Sequence, residues 1–252
     1  MRLTEKEYWE NYWREYRLPV EIKKGTGFLV DEILNVFDKY LPKKELHIIE
    51  IGGAPGQYLA YIQKQYNYNI CSIDYTEIGC KKTEQNFNLL GISGTTYKRD
   101  LFSDISDLPK FDVVYSLGFI EHFSNLDDVI EKHLELLKPD GILIIGAPNF
   151  LGLNKKIFEK INPDKLAKHE LAVMDLENWK SFEKTFKLET LFKGYIGGLE
   201  PRIYDYKNKT LSNLFIYFIF RMVQTVTDRI RILRKFNSKY FSGYVMGVYK
   251  KP

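Results

Sequence analysis

The sequence predicts an α/β fold built on a mostly parallel, doubly wound sheet. Three observations lead there. Short, continuously apolar runs alternate with helix-length stretches along residues 46–150, the pattern of βαβ units. The runs lack the polar alternation of a half-exposed strand, as expected where helices cover both faces. The residues suited to holding a ligand, Gly52 to Gly56, Asp74, Asp100 and Ser116 to His122, fall at the carboxyl ends of these runs, where open α/β sheets bind their ligands.

The first strand is His47-Ile48-Ile49-Glu50-Ile51. It ends in Gly52-Gly53-Ala54-Pro55-Gly56, whose glycines allow a tight turn and leave room for a ligand to lie on the backbone. A helix follows from Tyr58 to Gln65. The second strand, Asn69 to Ile73, is closed by Asp74, and a helix spans Glu77 to Leu90. Gly94 to Tyr97 is the third strand and Phe111 to Gly118 the fourth. A helix from Leu126 to Leu137 stops at Lys138-Pro139-Asp140-Gly141, because Pro cannot continue it and Gly permits the turn. Gly141 to Gly146 is the fifth strand.

A carboxylate about 20 residues beyond a glycine turn accepts hydrogen bonds from both hydroxyls of a ribose, so the turn and Asp74 together point to a nucleoside-containing cofactor. A dinucleotide would need a pyrophosphate cradle of the type G-x-G-x-x-G. No glycine follows Gly56 at the helix-packing position, and Pro55 removes an N–H that a phosphate would use. Glu50 would repel a phosphate and suits a cation, such as the ammonium of an amino-acid moiety.

These features resemble the class I S-adenosylmethionine-dependent methyltransferases. Their first motif, an acidic residue and then G-x-G-x-G, stands here as Glu50-x-Gly52-x-Ala54-x-Gly56, with alanine in place of the middle glycine. Phe119-Ile120-Glu121-His122-Phe123 after the fourth strand resembles the family's segment there, as does Leu137-Lys138-Pro139-Asp140-Gly141-Ile142-Leu143 into the fifth. The resemblance covers residues 46–150 well and the remainder by topology. It implies a Rossmann-like sheet of seven strands with an antiparallel last strand, and S-adenosyl-L-methionine as cofactor. It implies cofactor contacts from Glu50, Gly52, Gly53, Ala54, Gly56, Tyr58, Asp74, Tyr75, Asp100, Leu101, Ser116, Leu117 and Gly118, with Asp100 at the place of the acid that hydrogen-bonds the adenine amino group. A helix at Asn178 to Phe186, strand six at Lys187 to Tyr195 and strand seven at Phe241 to Tyr249 complete the family's sheet.

Length and composition suit one domain over 1–252; the resemblance makes it a single methyltransferase domain with an N-terminal helical cap at 1–40 and substrate-side insertions at 150–175 and 198–240. A net charge of +4 is too small and too dispersed to argue for nucleic acid. Cys71 and Cys80 form no metal-ligand spacing and no disulfide framework. The charged and aromatic start is not a signal peptide, so the expected location is the cytoplasm, with the inner face of the membrane as a further expectation.

Glu7 to Trp13 reads as an amphipathic helix that packs Tyr8, Trp9, Tyr12 and Trp13 on the sheet domain. Relatives use such a helix to cover the cofactor, which makes Tyr8 and Trp13 candidates for contact with its methionine end. Leu211 to Val223 is apolar nearly all round, interrupted by Arg221, and leads into the basic run Arg229 to Lys235. Three readings stand for 211–235: a buried lid or homodimer contact, a helix lying on an anionic membrane surface, or a spanning helix, the last being short for its task.

A hydroxyl acceptor benefits from a general base, most often His. The chain has 4 His. His47 begins the first strand at the end away from the site. His133 lies within a helix and reads as a surface residue. His122, at the mouth of the site, and His169, in the first insertion, are the candidate bases, and Glu121 is placed to orient one. No metal site is expected.

The acceptor is narrowed by departures from known patterns. Methyltransferases of exocyclic base amines carry an Asn/Asp-Pro-Pro-Tyr run after strand four, where this chain has Ser116-Leu117-Gly118-Phe119. RNA ribose methyltransferases resemble the Ala54-Pro55-Gly56 turn but use a Lys-Asp-Lys-Glu tetrad, whose places here hold Ser116 and Gly146-Ala147-Pro148-Asn149. A small-molecule or glycan acceptor is therefore expected. The start, Leu3 to Trp9, is similar to methyltransferases of bacterial surface polysaccharides, which implies O-methylation of a sugar hydroxyl. A quinone, phenol or lipid-like acceptor is the alternative, and a non-catalytic nucleoside-binding or scaffold protein is the alternative of another class.

Overall fold

The computed structural model describes residues 2–200, 203, 211–230 and 236–252. Seven strands form one sheet: β1 (His47–Ile51), β2 (Asn69–Asp74), β3 (Gly94–Lys98), β4 (Phe111–Leu117), β5 (Leu137–Pro148), β6 (Glu189–Leu199) and β7 (Ser242–Lys250). Their order is β3-β2-β1-β4-β5-β7-β6. β1 to β5 run parallel, with Ile49 beside Cys71 on one side and Val114 on the other. β7 is antiparallel to both of its neighbours, β5 and β6. The order reverses between β1 and β4, and that switch point opens the crevice that holds ligands in such sheets.

Helices α1 (Lys6–Arg14), α2 (Phe28–Tyr40), α3 (Gln57–Tyr66), α4 (Glu77–Leu90), α5 (Leu126–Leu136), α6 (Gly152–Ile161), α7 (Pro163–Leu166), α8 (Lys180–Thr185) and α9 (Leu211–Arg229) complete the described elements. Neighbouring strand residues point to opposite faces. Ile48, Val113 and Ile144 therefore pack with Leu34 and Phe37 of α2 and Leu59 and Ile62 of α3. Ile49, Val114 and Leu143 pack on the other side with Val129 and Ile130 of α5 and Phe182 of α8. The central strands β1, β2 and β4 are covered on both faces, which is why their apolar runs are continuous in the sequence, whereas β3 at the edge is polar and largely exposed.

Two boundaries differ from expectation. Lys138 to Gly141 is drawn into β5 rather than standing as a separate stop, and the left-handed turn falls on Asp140 (φ 58°) rather than on Gly141. β6 starts at Glu189 and runs on to Leu199, because Lys187 takes the turn at φ 52°.

In the first inserted stretch, α6, α7 and a 3-10 turn at Leu171–Met174 enclose a small core of Phe150, Phe158, Ile161 and Met174. The buried-lid reading of 211–235 does not hold. The described side chains of α9 are exposed or half-exposed, Phe215, Phe218 and Met222 among them. The described α9 side chains belong to none of the buried clusters. Among the described residues no helix is long and apolar enough to cross a membrane. The basic run Arg231 to Lys235 lies outside the described residues.

Candidate cofactor and acceptor site

The site begins where β1 ends. Glu50 is buried, and its Oε2 has no hydrogen-bond partner. Burial pushes its carboxyl up to about 8, only partly offset by the Tyr115 hydroxyl beside it. An orphan buried carboxylate needs an explanation, and a cation supplied by a ligand is one. The next turn is shaped around this side chain. A Cβ on Gly53 would stand 1.9 Å from the Glu50 carboxyl carbon, so only glycine lets the loop pass. Gly52 adopts φ +67°, and a Cβ there would meet the Phe119 ring at 2.5 Å.

β2 ends in Asp74, whose Oδ1 accepts from the Thr76 N–H at 2.7 Å and from its hydroxyl at 2.6 Å. Burial lifts the Asp74 carboxyl to about 6, against these two bonds. Thr76 caps α4 in turn, accepting from the Gly79 N–H. The same helix end is gripped by α1. Glu10 Oε1 accepts from Glu77 N at 2.9 Å and Oε2 from Ile78 N at 3.1 Å. Free N–H groups at a helix start attract a carboxylate, and this fixes α1 over the crevice.

The chain before α1 forms a strap across the mouth. Leu3 N donates to His122 O at 2.8 Å, and Arg2 bridges to Phe123 in antiparallel fashion. Arg2 also pairs with Asp100, and its guanidinium lies 4.5 Å from the Tyr75 ring centroid, with Phe102 and Phe123 farther out. Burial works against the Asp100 charge, yet Arg2 and the Phe102 N–H hold its carboxyl below the usual range. The planar cation thus sits on the acid that the family resemblance assigns to the adenine amino group, and against the Tyr75 ring.

Between these parts lies a cavity with about 560 Å³ of empty space, its open mouth included. Ile51, Gly52, Ile73, Asp74, Leu101 and Gly118 form its floor at the strand ends, and Arg2, Thr4, Trp9 and Trp13 its roof.

One wall is His122, in the 3-10 turn Ile120–His122 after β4. Trp9 meets it edge-on at 4.9 Å, and the His169 ring lies 4.6 Å away. Burial draws the imidazoles down, His122 to about 3 with His169 adding to the effect, and His169 to about 4. Both are neutral at physiological pH. Glu121 is fully buried, and burial pushes its carboxyl up to about 8. The first inserted stretch is stitched to this wall by Glu170 N, which donates to Glu121 O at 2.7 Å.

Of the residues expected to contact the cofactor, Gly52, Asp74, Tyr75, Leu101, Gly118 and Trp13 line the cavity. Glu50 and Gly53 lie together behind its floor, and Asp100 borders the neighbouring hollow with Arg2. Gly56, at φ +74°, starts α3, with the buried Ala54 two residues before it. Others are spent elsewhere. Ser116 is buried and bonded to His133 Nε2 at 2.9 Å. Leu117 and Tyr58 pack into the α2–α3 core. Tyr8 lies under the Lys168 ammonium, 4.2 Å from its ring centroid, rather than in the cavity wall. His133 is a core residue and not a surface one: its Nδ1 meets Val129 O at 2.7 Å, because the inward face of α5 presses it onto β4. Arg2 and Thr4 line the cavity without a signal in the sequence, and Phe119 and Phe123 stand in the segment after β4 that carries the family resemblance.

Residues 49–143 match the family model described as a methyltransferase domain. No curated protein matches the chain by sequence. Among solved structures, a SAM-dependent methyltransferase from Archaeoglobus fulgidus is similar at 18% identity and TM-score 0.58, covering 97% of this chain and 99% of that one. The N-methyltransferase NodS from Bradyrhizobium japonicum WM9, in complex with S-adenosyl-L-homocysteine, is similar at 11% identity and TM-score 0.59, covering 98% of each chain. The [4+2]-cyclase SpnF is similar at 12% identity and TM-score 0.59, covering 98% of this chain and 94% of that one. The match places a methyltransferase domain over residues 49–143, and the sheet has the fold of these S-adenosylmethionine-dependent methyltransferases. The likeness to solved structures concerns the fold alone, and the acceptor has to be argued from the site.

Proposed function

We propose that the protein transfers a methyl group to a sugar hydroxyl of a surface glycan or its precursor. The observation that carries this reading is the make-up of the cavity wall away from Asp74. Trp9, Trp13 and Phe119 offer aromatic surface, and His122, with His169 and Glu121 behind it, offers polar atoms. A sugar presents the complementary pair, an apolar C–H face and a polar hydroxyl edge. Pockets commonly combine an apolar lining with a few placed polar groups.

S-adenosylmethionine supplies a methyl group already activated on a sulfonium. The protein's task is to align and to exclude water. On this reading Glu50 holds the ammonium, Asp74 the ribose hydroxyls and Asp100 the adenine amino group. α1 closes the roof through Glu10. An Nε2 of His122 or His169 accepts the hydrogen bond of the acceptor hydroxyl and takes its proton. The low proton affinity of both imidazoles makes orientation their larger contribution.

A second reading is favoured by α9, whose exposed Leu214, Phe215, Phe218, Ile219 and Met222 suit an acceptor carried on a lipid, or a quinone or phenol. That reading includes a peripheral membrane contact or a homodimer through this helix, with the protein working at the inner face of the membrane.

Incubation with methyl-labelled S-adenosylmethionine and three acceptor pools, nucleotide-linked sugars, lipid-linked sugars and phenols with quinols, tests the proposal. Label in a sugar ether supports it. Label in the phenol pool alone shifts the assignment to the second reading. Cofactor binding with no label in any pool favours the non-catalytic alternative.

A further inference from the structure

We infer that Glu121, His122 and His169 form a binding site for one divalent transition-metal cation on the wall of the cofactor cavity. Each residue offers one ligand atom, and the three atoms lie within 4.8 Å of one another. Glu121 Oε1 and His122 Nε2 are 3.7 Å apart. Metal–ligand bonds of about 2.0–2.2 Å would draw the trio in by side-chain rotation, without moving the backbone far.

Three independent features aim these groups inward. His122 Nδ1 meets Lys168 O at 3.2 Å, and His169 Nδ1 meets Lys165 O at 2.6 Å. A carbonyl oxygen only accepts, so in each ring Nδ1 carries the proton and Nε2 keeps its lone pair. A metal-ligating histidine shows this arrangement, with its other nitrogen held by a backbone carbonyl. Glu121 is 1% exposed, and its Oε2 has no hydrogen-bond partner, which leaves a buried acceptor to be satisfied. The rings are also fixed from outside, His122 by the edge of Trp9 and His169 by Phe150 at 4.9 Å.

Two imidazoles and one carboxylate select zinc, manganese, iron or cobalt over magnesium and calcium, which prefer all-oxygen sites. Three protein ligands leave further positions for a small molecule. His122 borders the cavity, so an open position would take an oxygen of the acceptor in place of the direct hydrogen bond to an imidazole Nε2; this extension alone rests on the methyl-transfer reading. The opposing influence is the charge of Lys165, which acts on all three residues.

The test is titration of the metal-free, full-length protein with Co²⁺ and with Zn²⁺, followed by calorimetry and by the visible absorption of bound Co²⁺. The expected result is one equivalent per chain, unaffected by excess Mg²⁺. Both His169→Ala and the near-isosteric Glu121→Gln should weaken binding at least about tenfold. Lys165→Met should tighten it by removing a like charge. Circular dichroism and S-adenosylhomocysteine binding check that each variant is folded. No saturable binding by the folded wild type would overturn the site. So would binding that neither His169→Ala nor Glu121→Gln changes, since the metal would then sit elsewhere, for example on His47. Cobalt binding without S-adenosylhomocysteine binding would leave the site standing and remove the methyl-transfer reading; the reverse would do the opposite.

Discussion

Gly53 has no side chain because the Glu50 carboxyl occupies its place: a Cβ would stand 1.9 Å from the Glu50 carboxyl carbon. The glycine-rich motif therefore does two things at once. It turns the chain after β1, and it leaves room for the buried Glu50 side chain beside the loop. Gly53→Ala must push that carboxyl aside. The expected outcome is a loss of S-adenosylhomocysteine affinity of about tenfold or more, equivalent to about 1.4 kcal/mol, in a protein whose circular dichroism is unchanged. Calorimetry on the variant checks it.

The same carboxyl sets a pH dependence. In the ligand-free site burial holds Glu50 protonated up to about pH 8, whereas an ammonium ligand requires the anion. Affinity for S-adenosylhomocysteine should rise from pH 6.5 to pH 8 and flatten beyond. Stability runs the other way. A folded-state value raised above the unfolded one gives a contribution that is full below the unfolded pKa and is lost as pH rises toward 8. Glu50→Gln should therefore stabilise the ligand-free protein at pH 8 more than at pH 5, because the amide does not ionise in the unfolded chain, while abolishing the pH dependence and most of the affinity. Thermal melts at pH 5 and pH 8, with titrations alongside, read both effects.

Arg2 occupies Asp100 and faces Tyr75, so a cofactor reaching that acid must displace it. The pair is about one-third exposed on each side, and solvent screening limits its worth to about 1 kcal/mol or less. Arg2→Ala should tighten S-adenosylhomocysteine binding by roughly threefold, with a weaker salt dependence. Weaker binding in the variant would mean that Arg2 helps to hold the ligand.

Glu10 anchors α1 to the first N–H groups of α4. Replacing it with alanine should cost about 0.5–2 kcal/mol, as for loss of a helix cap. The loss should appear locally, as earlier proteolysis of residues 2–20 and greater quenching of Trp9 and Trp13 fluorescence, with the core transition little moved.

The strands and the glycine turn were legible because their signals are local. A buried parallel strand must be apolar on both faces, and the backbone after Glu50 needs glycine where a side chain or a positive φ intervenes. The pairing of His122 with His169 was not legible as a pair. Each histidine appeared as a separate candidate base, and only the fold brings the loop after α7 against the turn after β4. His133 misled for a related reason: helical periodicity gives a face but not which face the sheet covers. The Arg2 strap left no trace, since a lone arginine near a terminus carries no pattern. The long apolar run is helical, as its length and composition suggest, but nothing local in the run tells that Phe215, Phe218 and Met222 stay exposed.

The cofactor end of the site is where methyl transfer begins. The most direct measurement is calorimetric titration of the wild type and of Asp74→Asn with S-adenosylhomocysteine and with NAD. Asparagine keeps the side-chain oxygen that receives the Thr76 N–H but removes the charge offered to a ribose. Micromolar S-adenosylhomocysteine binding by the wild type, no NAD binding, and at least about tenfold weaker binding by the variant is the predicted result. Absent S-adenosylhomocysteine binding, equal affinity for NAD, or an Asp74→Asn protein that binds as tightly as the wild type would contradict it.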